Sequence, residues 1–160
     1  MSRQKWIAAP LLLTLFNFTQ AHATEKLDFN EEKYKVTRPN IAKVSVEWIK
    51  NKGKKFDVHL SIENLADFPI IMMLSDFKCS KSGHTAALRH THWNMGERTI
   101  DFKTGESKDF TMVCPHGEVD EKEPEYKINI QRVDSNKSGD GKTTGQIIAK
   151  DIEWKVKVVN

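Results

Sequence analysis

In "FDVHLSIEN" (Phe56 to Asn64) every second residue is apolar, with Phe56, Val58, Leu60 and Ile62 in one phase and Asp57, His59, Ser61 and Glu63 in the other. Successive side chains of a strand point to opposite faces, so this alternation predicts a strand with one buried face. The same period recurs along the chain. "KVSVEWIK" puts Val44, Val46 and Trp48 inward, "SKDFTMVC" Phe110, Met112 and Cys114, and "EYKINIQRV" Tyr126, Ile128 and Ile130. The last run, "GQIIAKDIEWKVKVV", turns Ile148, Ile152, Trp154, Val156 and Val158 inward. "PIIMMLSDFKC" is apolar without interruption through Leu74 and reads as a central strand covered on both faces. Turn clusters such as "KSG" and "DSNKSGDGK" separate the runs, and no long stretch shows a 3.6-residue period. The expected fold is all-β, a single antiparallel immunoglobulin-like sandwich over residues 41–160.

The N-terminus reads as an export signal over residues 1–23. Arg3 and Lys5 precede an apolar run from Ile7 to Phe18, and Ala21-His22-Ala23 supplies small residues where a signal peptidase cuts. The run is shorter than the roughly 20 residues a spanning helix needs, so the chain is not expected to span a membrane. No cysteine stands at the cut, so no lipid anchor is expected either. Residues 24–40 are polar and end at Arg38-Pro39, reading as an extended leader. Loss of Arg3 and Lys5 from 25 Lys and Arg leaves 23 against 22 Asp and Glu, a nearly neutral domain whose overall charge selects no anionic partner.

Two cysteines occur, Cys79 and Cys114. An even count in an exported chain predicts a disulfide, and the alternative, a thiol pair serving a metal, lacks the short CxxC spacing. The expected compartment is extracytoplasmic, periplasmic or secreted. Asn136-Lys137-Ser138 is a glycosylation sequon, of consequence only in a eukaryotic host.

"SIENLADFPIIMMLSDFKCSKSG", followed some thirty residues later by "FKTGESKDFTMVC", resembles the telokin-like, immunoglobulin-type domain of bacterial exported proteins, a family without known function. The resemblance runs from about Ile41 to Val133 and rests on turn and strand-edge features, Asp67-Phe68-Pro69-Ile70 and Gly105-Glu106-Ser107 among them. It implies an extracytoplasmic module that binds a partner, a protein for instance, and it carries over no active site. Many members are anchored lipoproteins with a polar linker, a pattern from which this chain departs.

Candidate chemistry centres on "LRHTHWNMGE". In a strand His90 and His92 share a face, His84 follows Cys79 by five residues, and His116 follows Cys114 by two. A disulfide would draw His84 and His116 together, and Met95 adds a soft donor. Such a set suits copper or zinc, and a copper/zinc-binding protein is the alternative to the binding module. Against it, His-x-His also arises on an ordinary solvated strand face, and nothing in the sequence fixes a third ligand. No cofactor is therefore expected. Segment 80–98 is the least regular stretch between strands and the expected recognition surface. The lysines of "KNKGKK" lack an aromatic platform for bases and read as a solvated hairpin, so no nucleic-acid partner is expected. "EVDEKEPE" lacks a calcium-loop pattern and reads as a solvated loop. Trp48, Trp93 and Trp154 raise a sugar platform, although the phases of Trp48 and Trp154 point inward. No Gly-x-Ser-x-Gly, HExxH or P-loop occurs, and no enzymatic activity is expected.

Overall fold

Alternating runs of apolar residues can bury their inward faces only by stacking one sheet on another, and the chain does so. The computed structural model describes residues 25–91, 98–119, 121–136 and 145–159. Its strands are β1 (Lys26–Asp28), β2 (Lys35–Arg38), β3 (Ala42–Asn51), β4 (Phe56–Asn64), β5 (Ile70–Met73), β6 (Phe77–Lys81), β7 (His84–Ala87), β8 (Arg89–His90), β9 (Thr99–Phe102), β10 (Ser107–Cys114), β11 (Glu125–Ser135) and β12 (Ile147–Lys157). The first sheet runs β1-β3-β4-β10-β8, with β2 also on β3; the second runs β7-β6-β11-β5-β9, with β12 on the free edge of β11. Every pairing is antiparallel. The molecule is thus an antiparallel β-sandwich of the immunoglobulin-like class. Among the described residues no helix is long and apolar enough to cross a membrane.

The expected inward phases of β4, β10 and β11 are all buried. β3 departs from its expected phase. A bulge between Val46 and Trp48 leaves Glu47 without a partner on β4, so Ile49 is buried where Trp48 was expected. A similar slip affects β12, where Asp151 adopts φ +52°. Ala149 and Ile152 are buried on either side of the exposed pair Lys150 and Asp151, and Ile148 is only half-buried. The apolar run from Ile70 has all of Ile70, Ile71 and Met72 buried, as expected for a covered strand. A 3-10 turn at Leu74–Asp76 then breaks it, so that β5 and β6 both lie along β11.

The segment read as a leader is extended, but it belongs to the sandwich. β1 and β2 both pair with β3, closing one edge of the first sheet. Between them Phe29 is buried, edge-on to Tyr34 (5.1 Å between ring centroids) and to Trp154 (5.3 Å). The Trp154 Nε1–H donates to the Tyr34 carbonyl at 2.6 Å, which ties this segment to β12 of the other sheet.

Two further links hold the sheets together at opposite ends. Cys79 on β6 and Cys114 on β10 form a disulfide, with Cα atoms 6.0 Å apart. At the other end lies Asn64. Its Nδ2 donates to the carbonyls of Phe68 (2.9 Å) and Lys103 (3.0 Å), and its Oδ1 accepts from Ala66 N–H (2.9 Å). The turn before β10 needs the left-handed conformation that Gly105 takes (φ +71°), and the Glu106 carboxylate caps it by accepting from Lys103 N–H at 2.7 Å.

Candidate ligand-binding site

Strand phase decides what lies between the sheets where the sandwich opens. On β6, Phe77, Cys79 and Lys81 share the inward face; on β11, Tyr126 precedes Ile128 and Ile130 on the same phase. Lys81 and Tyr126 are directly paired across these two strands. On β3 the bulge gives Asn51 the phase of the buried Ile49, and Asn51 faces them from the first sheet.

The three residues are joined. The Lys81 ammonium donates to Asn51 Oδ1 at 3.3 Å and lies 5.8 Å from the centroid of the Tyr126 ring. Asn51 Nδ2 donates to the Tyr126 hydroxyl oxygen at 2.5 Å. Tyr126 is fully buried and Lys81 is 8% exposed. Burial pushes the Lys81 pKa down, opposed by the charges of Glu25 and Glu121, and pushes that of Tyr126 up. A lysine is very seldom so enclosed without a carboxylate in contact, because desolvating a cation is costly.

This relay floors a cleft of about 1100 Å³. One wall is the β3–β4 hairpin, closed by Lys52 N–H to Lys55 O at 2.8 Å; the other is the loop from Pro115 to Pro124. The hairpin and the acidic loop, both read from sequence as solvated, face each other across it. Lys54 pairs with Glu118 at 2.6 Å, raising the lysine's pKa and lowering the glutamate's, and Lys52 pairs with Asp57. Leu27, Val119 and Val158 supply apolar lining. A smaller hollow of about 290 Å³ on the outer face of the first sheet is less apt. Its Ser61 and Ser107 hydroxyls bond each other at 3.3 Å, and its Lys35 and Lys43 pair with Glu32.

The histidines are distributed differently. His84 is exposed at the start of β7 in the second sheet, whereas His90 lies on β8 in the first. His90 pairs with Met112, and its ring stands edge-on to Phe110 at 6.3 Å. His116 is 5% exposed and stacked on Phe56 at 5.6 Å, and among the described residues neither ring nitrogen has a hydrogen-bond partner of good geometry. Burial lowers its pKa, and the nearby charges of Lys81 and His84 act in the same direction. His84 thus lies near enough to His116 to act on its charge, while His90 sits on the edge strand β8 beside β10; His92 and Met95 lie outside the described residues. Both cysteines are consumed by the disulfide. Among the described residues no group of three His, Cys, Asp or Glu is placed to hold a metal ion.

The sugar-platform residues also separate. Trp154 is buried, and Trp93 lies outside the described residues. Trp48, turned outward by the bulge, is stacked on His59 at 5.4 Å with Lys26 above its ring. Sequence reasoning missed Lys81, which it placed in a turn cluster. The available signal was a lysine in register with Phe77 and Cys79.

No family model and no curated protein sequence matches the chain. Among solved structures it is similar to a "putative lipoprotein" from Bacillus subtilis, at 14% identity and a TM-score of 0.49. That match takes in 79% of this chain and 39% of the other.

Proposed function

We propose that this chain is an exported, non-catalytic immunoglobulin-like module that binds a ligand at the open end of its sandwich. The carrying observation is the Lys81–Asn51–Tyr126 relay, three polar side chains set on inward phases beneath a large cleft. Ligand sites are concave, largely apolar, and use a few convergent polar groups for orientation. The reading from Met1 to Ala23 as a cleaved signal, together with the disulfide, supports a location outside the cytoplasm, where such bonds persist. The likeness of the Asn64–Asp76 and Gly105–Ser107 stretches to telokin-like exported domains agrees with a binding role.

The test is a titration of the isotope-labelled mature protein with a diverse small-molecule library and with concentrated host culture fluid, followed by NMR. Shifts concentrated at the amides of Asn51, Lys81 and Tyr126 support the reading. Saturable shifts confined to the β8 region, or chemical conversion of the added compound, would overturn it.

A further inference from the structure

This inference rests on the binding role just proposed and names the ligand's chemistry. Hydrogen-bond direction along the relay is fixed by its ends. Lys81 can only donate, so Asn51 Oδ1 accepts; the Asn51 amide nitrogen can only donate, so the Tyr126 oxygen accepts. The Tyr126 hydroxyl hydrogen is then left over, as are two of the three Lys81 N–H bonds, and among the described residues no other hydrogen bond engages them. Three donor hydrogens, two of them on the Lys81 ammonium, are left on the cleft floor for an acceptor.

We propose that this floor takes the carboxylate of a small organic acid whose apolar body lies against Leu27, Val119 and Val158. A single buried ammonium matches a single negative charge. A phosphate dianion would call for a second cation on the floor; the other lysines lining the cleft, Lys52, Lys54, Lys55 and Lys122, belong to its walls, and Lys52 and Lys54 are paired with Asp57 and Glu118. The cleft is far larger than a bare anion, and its apolar lining favours an acid with a hydrocarbon part over acetate or an inorganic ion. The negative charge of a docked carboxylate would offset the desolvation that depresses the Lys81 pKa, so binding and charging of the lysine reinforce each other.

Hexanoate, hexanamide, hexyl phosphate and acetate are titrated into the mature protein at pH 7.5, read by calorimetry and by shifts at Lys81 and Tyr126. Hexanoate is expected to bind at least tenfold more tightly than any of the other three. Lys81→Met, which keeps the buried stem but removes the charge, is expected to abolish that preference. Tyr126→Phe should weaken hexanoate severalfold while leaving the fold intact. Equal binding of hexanamide, or binding of hexanoate unaffected by Lys81→Met, overturns the carboxylate assignment but leaves a ligand-binding cleft standing. Tighter binding of hexyl phosphate replaces carboxylate by phosphate. No binding of hexanoate also overturns the assignment, and the library titration then decides separately whether the cleft binds anything.

Discussion

Asn64 and His116 are both buried polar residues, and they behave in opposite ways. Asn64 spends its amide on three backbone groups, and each such bond contributes about 1 kcal/mol. His116 has no hydrogen-bond partner of good geometry for either nitrogen among the described residues, and burial favours its neutral form, stacked on Phe56. Its folded-state pKa lies below the ordinary value of 6.5, with Lys81 and His84 adding to the effect of burial. Between 6.5 and that lower value the unfolded chain holds a proton that the folded chain does not. Stability is therefore unaffected by His116 above about pH 6.5 and falls on acidification below it, by at most about 1.4 kcal/mol per pH unit. His116→Phe preserves the stack and removes the titration. Urea unfolding of both proteins at pH 7.5 and 5.0 should show a smaller acid loss in the variant. Equal losses would mean that His116 does not titrate in the way its burial requires.

At the level of elements, the segment before Ile41 is the sharpest departure from its sequence reading. Its polar composition hides two inward-facing anchors, Phe29 and Tyr34, spaced too irregularly to register as a period. If this stretch were a solvated leader, Phe29→Ala would have little effect. Because Phe29 is buried between Tyr34 and Trp154, the substitution is expected to cost about 3 kcal/mol in urea unfolding. A chain starting at Ile41 should be less stable still, with the edge of β3 uncovered and prone to pair with another copy. The alternation was legible because β4 and β10 keep one phase along their length and β11 keeps one from Tyr126 to Ile130. Trp48 and Ile148 were misread because a bulge or a left-handed residue shifts the phase by one and leaves no mark in composition. Lys81 was overlooked for a different reason. The stretch from Ser80 to Gly83 reads as a turn cluster, so the strand reads as ending before Lys81 although Lys81 continues the phase of Phe77 and Cys79. The crossing of the chain from β7 in one sheet to β8 in the other, at the buried Leu88, depends on pairings far away in sequence and could not be read locally.

Across the whole molecule the two sheets are tied unequally, by a covalent link near the cleft and by hydrogen bonds from Asn64 at the far end. Cys79 is two residues from Lys81 on β6, and Cys114 is two residues from His116 beyond β10, so the disulfide sits directly under the site. Replacing both cysteines with alanine should cost about 3–4 kcal/mol, the value expected from closing a loop of this length in the unfolded chain. A uniform loss is all that the unfolded-state account demands. The placement of the bond predicts more, because nothing else covalent holds the inward faces of β6 and β10 together where the walls part. Hydrogen exchange of the double variant should therefore quicken first at Asn51, Lys81 and Tyr126, with the Asn64 end keeping its protection. Binding at the cleft floor should weaken with it, since Lys81 and Asn51 come from different sheets and keep their 3.3 Å contact only while the sheets hold their spacing. Uniform acceleration across both ends would make the disulfide a constraint on the unfolded chain alone. Acceleration confined to the cleft would make it part of the binding site.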